Sequence, residues 1–138
     1  MLSNLIMLKS DEMEILNNNS DPLEVFENKD IKGIDTVKLA KIQSNLLKID
    51  YKVSLDKFNL LFSSEESWFF SVPNDFVEKL SKLDSNLITE LAEDCNDIEE
   101  FKLDNWKFEK VKKTLVAIVN FSKAAIKKNK ILVLRITT

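Results

Sequence analysis

A chain of 138 residues with 44% hydrophobic and 31% charged side chains has the make-up of one globular domain, long enough to bury a core. One glycine and two prolines exclude collagen-like repeats, disordered tracts and turn-rich β-sandwiches, and leave helix as the dominant element. A net charge of −3, a single cysteine and no histidine exclude an internal disulfide, the usual structural zinc sites and any catalytic site built on a histidine base.

Leu2, Leu5, Ile6, Met7 and Leu8 form a short apolar segment, predicted as a first strand that pairs with the last one. No basic stretch precedes it and Asp11, Glu12 and Glu14 follow, a pattern unlike a cleaved signal, so a cytoplasmic location is expected. Ser10 is predicted to cap a short helix whose first turn is acidic, and Asn17 to Ser20 to form a turn. Asp21-Pro22-Leu23-Glu24 places Pro at the first helical position and signals a second short helix. Gly33 suits a backbone turn with positive φ, and Asp35 is the expected cap of a helix running through Leu47 with Val37, Leu39, Ala40, Ile42, Leu46 and Leu47 inward. Between Tyr51 and Phe62 the pattern predicts a brief extended piece followed by a short helix from Ser54. Ser63 to Ser67 reads as a polar loop and Trp68 to Val72 as an aromatic strand ended by Pro73. Two helices follow, one on Phe76, Val77, Leu80 and Leu83, the next on Leu87, Ile88, Leu91, Ala92 and Cys95. Asn96 to Leu103 is an acidic connector.

The longest helix is expected between Lys107 and Lys128, where Phe108, Val111, Leu115, Ile118, Ser122 and Ala125 recur at three- and four-residue steps. Asp104 and Asn105 are candidate caps at its start and Asn129 its stop. Leu115 to Val119, its longest apolar run, is far below the roughly 20 residues a membrane span requires, so no span is expected. Ile131 to Ile136 then reads as a buried strand. The predicted architecture is a helix-rich α+β single domain over residues 1–138. Its small sheet, of N-terminal, central and C-terminal short strands, is covered by helices.

The order of elements resembles the YfbM-like family of uncharacterised bacterial proteins. There a Leu-Asp-x-x-Lys segment opens a helix that ends in Leu-x or Leu-Leu, similar to Ile34-Asp35-Thr36-Val37-Lys38 with Leu46-Leu47 here. The helix pair from Phe76, Trp106 and the long helix entering an apolar terminal strand are similar as well. The family's frequent aromatic, histidine and glycine fall on Ala40, Ser44 and Ile49. The resemblance implies an α+β architecture and no particular chemistry.

Charge is unevenly spread. Asp84 to Asp104 holds eight carboxylates against Lys102, and Lys107 to Lys130 holds eight lysines against Glu109. Solvated helix faces that partly neutralise each other explain this, as does an acidic edge for a partner. Glu93, Asp94, Asp97, Glu99, Glu100 and Asp104 are the candidate contact residues, with Asp97, Glu99 and Glu100 expected in the least regular part. The same acids could instead form a carboxylate pair for catalysis, with or without a divalent ion, although the EF-hand spacing is absent. One arginine and an acidic balance speak against nucleic acid, and one glycine against phosphate loops, so no cofactor is expected. Cys95, on an apolar helix face among acids, reads as buried and inert. Trp68 and Phe70 alternate with Phe69, so the three rings divide between two faces: either both are core, or Trp68 and Phe70 offer an aromatic partner surface. Arg135, alone in an apolar strand, is either paired with a carboxylate at the rim or an anion anchor.

The composition fits a non-catalytic protein-binding protein, most concretely an immunity or antitoxin protein that blocks a basic toxin with its acidic surface. A small carboxylate enzyme is the alternative. Oligomeric state is left open by the sequence.

Overall fold

Residues 1–138 are all described by the computed structural model. A five-stranded antiparallel sheet is its spine, with strands β1 (Leu2–Leu8), β2 (Glu27–Asp30), β3 (Leu60–Ser63), β4 (Ser67–Ser71) and β5 (Ile131–Thr137) in the order β2-β1-β5-β4-β3. The two ends of the chain therefore lie side by side at the centre, with Leu5 opposite Leu134 and Ile6 opposite Val133. Because side chains alternate along a strand, β5 is buried on both faces: Leu132, Val133 and Leu134 are all fully enclosed.

The main core lies on one face. Leu5, Met7, Leu132 and Leu134 meet α5 (Asn74–Ser81), α6 (Ser85–Asn96) and α8 (Phe108–Lys127), which contribute Phe76, Leu80, Leu91, Leu115, Ile118 and Val119. α3 (Thr36–Leu47) and α7 (Glu99–Leu103) close its far side with Leu39, Ile42 and Phe101. The other face is covered only by the β1–β2 connection: a 3-10 turn at Ser10–Glu12, α1 (Met13–Asn17) and α2 (Pro22–Val25). There Leu16 and Phe26 cap Ile6, Leu8, Phe69 and Val133.

The predicted strands, the two helices from Asn74 and the long helix are present, and Gly33 takes φ 90°. Its missing Cβ matters twice, since a side chain there would also stand 3.0 Å from the Trp106 ring. Asp35 accepts the Lys38 N–H at 2.8 Å as the cap of α3, and Asn129, at φ 55°, stops α8.

Four local expectations are overturned, and one strand has no counterpart in the sequence reading. The order between Tyr51 and Phe62 is reversed: α4 (Tyr51–Asp56) comes first and strand β3 second. Asp50 accepts the Lys52 N–H at 2.7 Å to start that helix, and the buried Ser54 hydroxyl donates to Ala40 O at 2.8 Å, locking it on α3. Glu27–Asp30, too polar to read as a strand, pairs with β1; its charges suit an exposed edge, and Glu27 accepts two hydrogen bonds from Lys128 at 2.7 and 2.9 Å. Ser10 lies inside the first turn, where Lys9 N–H donates to Glu12 instead. The acidic connector contains a helix, α7, with Ile98 and Phe101 buried. Asp104 and Asn105 do not cap α8, because Asn105 turns the chain with φ 58° and the Asp104 carboxylate is held by Lys38.

Candidate functional site

The acidic segment enters the fold through α6, capped by Asp84, which accepts the Leu87 N–H at 2.9 Å. Ile88, Leu91, Ala92 and Cys95 turn inward at helical spacing, which leaves Glu90, Glu93 and Asp94 outward and exposed. Leu87, expected in the core, is 44% exposed; it precedes the first fully buried position of this stripe. α7 then buries Phe101, whose ring meets Trp106 edge-on at 5.0 Å between centroids. Leu103 follows Phe101 by two residues, a rotation of roughly 200° on a helix, and it is 72% exposed.

Lys38 fixes the end of this segment. Its side chain is almost fully buried, donates to Gly33 O at 2.9 Å and to the Asp104 carboxylate, and stands 5.6 Å from the Trp106 ring and 5.9 Å from Phe101. Lys110 covers Trp106 at 4.1 Å. The hydrogen bond and positive charge of Lys38 hold the Asp104 carboxyl below the ordinary Asp value of 3.8.

The six candidate acids divide accordingly. Asp104 is taken up by Lys38, Glu100 is half-buried and paired with Lys41 at 3.5 Å, and Asp97 faces Lys102 at 3.8 Å. Glu93, Asp94 and Glu99 are exposed and belong to no ion pair, as is Glu90. The partial neutralisation thus comes from α3 and from Lys102, and the lysines of α8 pair with none of the acids. No group of three or more Asp, Glu or Cys side chains is arranged to hold a metal ion. Cys95 lies fully buried, and burial followed by the charge of Asp94 pushes its thiol up to about 12.

Phe69 is buried against Phe62, with ring centroids 4.7 Å apart, whereas Trp68 and Phe70 face the helix side, both half-buried. Phe70 packs on the main core. Trp68 belongs to neither core cluster. The acids and these two rings lie on different layers, helix and sheet, so they do not form one site. Lys38 and Leu103 were missed from the sequence. The signal for Leu103 is its phase relative to Phe101, visible once α7 is known to be helical.

The fold defined here is a helix-rich α+β domain on one open antiparallel sheet, and no helix in it is long and apolar enough to cross a membrane. Among solved structures it is similar to YfbM from Escherichia coli, a protein of unknown function, over 100% of both chains, with TM-score 0.55 and 12% sequence identity. At that identity the likeness is one of fold. No protein-family model and no curated protein matches the sequence.

Proposed function

We propose that this chain is a non-catalytic protein-binding protein that engages a basic partner through the outer surface of α6 and α7. Its most concrete form is an immunity or antitoxin protein that neutralises a basic toxin. The supporting observations are that Glu90, Glu93, Asp94 and Glu99 are exposed carboxylates in no ion pair and that Leu103 is exposed on the neighbouring α7. Glu99 and Leu103 are one helical turn apart, so an apolar contact and a charge stand side by side. An apolar centre with a polar rim is the usual anatomy of a recognition surface, and unpaired acids steer a basic partner towards it. The Lys38 clamp supports this reading by holding α7 rigidly, which lowers the ordering cost of association.

The experiment is co-purification from the source cell followed by co-expression. The expected partner is a basic protein whose harmful activity is suppressed when this chain is present and returns when Glu93, Asp94 and Glu99 are reversed to lysine. An acidic partner, or suppression untouched by the reversal, contradicts the proposal.

A further inference from the structure

A cavity of about 390 Å³ opens on the opposite face of the sheet, between the α1–α2 segment and the β3–β4 hairpin. Its volume lies within the usual range for small-molecule sites, roughly 300–1,000 Å³. Arg135, the sole arginine of the chain, is in its wall, on β5 between Asn4 of β1 and Phe69 of β4. Its Nε is shut off from solvent and has no hydrogen-bond partner. The side chain takes part in none of the molecule's six ion pairs, so the carboxylate partner that its strand position suggests is absent. A guanidinium has five N–H donors in a fixed fork, and one that lines a cavity with no carboxylate partner in the fold leaves the N–H groups beyond Nε for an external acceptor.

The remaining walls narrow the class of ligand. Ser63, Ser64 and Asn17 supply neutral hydrogen-bonding groups, and Phe62 and Phe69 an apolar surface. Glu65 and Glu66, on the hairpin turn, also line the cavity and are outside ion-pairing distance of Arg135. One cation and two separated carboxylates give the cavity a net negative charge, which disfavours a phosphate dianion. They suit a molecule that carries both signs. We propose that this cavity binds a small zwitterion, an α-amino acid or short peptide, with its carboxylate on Arg135 and its ammonium on Glu65 or Glu66. The guanidinium fork matches a carboxylate in two parallel hydrogen bonds. The site is independent of the protein-binding surface, which lies on the helix side of the sheet.

The test is a nitrogen-edited NMR titration of the full chain that follows the Arg135 Nε–H signal, with glycine, glycylglycine, acetate and inorganic phosphate as probes at millimolar concentration. Glycine or glycylglycine should shift the signal saturably and bind at least about tenfold more tightly than acetate, since each charge-assisted contact is worth about that factor. Arg135→Gln, which carries no arginine signal and is followed instead through the backbone amides of Ser63 to Ser67, should abolish binding. Because that strand position is central to the fold, a second variant, Glu65→Gln with Glu66→Gln on the exposed turn, should keep the fold and erase the preference for zwitterion over acetate. Absence of a shift with every probe, equal binding of acetate and glycine, or tighter binding of phosphate would each overturn the proposal.

Discussion

The Lys38 ammonium, buried beneath Trp106 and Phe101, donates to the exposed Asp104 carboxylate 66 residues along the chain. The pair is asymmetric, and the asymmetry determines what each residue contributes. Asp104 keeps water on one side whatever happens to Lys38. Lys38 has only Asp104 and Gly33 O to replace its hydration.

Asp104→Ala should therefore lower the melting temperature more than Lys38→Met, since the first strands a buried cation and the second leaves a carboxylate that water can solvate. The pH dependence follows the same logic. Lys38 lowers the folded-state pKa of Asp104, and Lys128 that of Glu27, so both pairs stabilise the protein fully above the ordinary values of 3.8 and 4.5. That stability is lost as pH falls below them. Thermal melts of parent and Lys38→Met through the acid range should converge as pH drops; parallel curves would show that the pair contributes nothing.

Cys95 makes the opposite prediction. Burial raises its thiol from 9.0 to about 12, so the neutral thiol is favoured in the fold, and the associated stability is present below 9.0 and lost as pH rises towards 12. Labelling by a thiol reagent at mildly alkaline pH should be slow and should track denaturant-induced opening rather than pH alone. Rapid labelling of the native protein would contradict burial on α6.

Leu134 is enclosed on the central strand, opposite Leu5 and Phe70. Leu134→Asp places an unpaired charge in the core and should cost several kcal/mol, a large part of the about 5–15 kcal/mol margin of a domain. Loss of a cooperative melt is expected; a melt near the parent's would refute the central position of β5.

The elements with strong periodicity were legible in the sequence because burial and propensity agree there: α8 repeats its apolar residues every turn, and Ile131 to Ile136 is apolar apart from Arg135. The failures occur where tertiary contacts decide. Glu27–Asp30 is a strand because β1 offers an edge, and Tyr51–Asp56 is helical because Asp50 caps it and Ser54 reaches α3. Two of the six candidate acids were unreadable for the same reason, and a third is met by a local lysine. Asp104 and Glu100 are claimed by Lys38 and Lys41, which precede them by some 60 residues, and Asp97 by Lys102 across the start of α7. Glu93, Asp94 and Glu99 remain outward as composition suggested, and Leu103 joins them only through the phase of a five-residue helix.

The proposed recognition surface on α6 and α7 is tested most sharply by the association kinetics of the purified partner. Rates should be measured at low and high salt for the parent, for the reversal of Glu93, Asp94 and Glu99 to lysine, and for Leu103→Ser. Charge reversal is predicted to slow association and flatten its salt dependence, since unpaired acids act through steering, while Leu103→Ser should mainly hasten dissociation. Association and dissociation rates identical to the parent's in both variants, at both ionic strengths, would rule out recognition through α6 and α7.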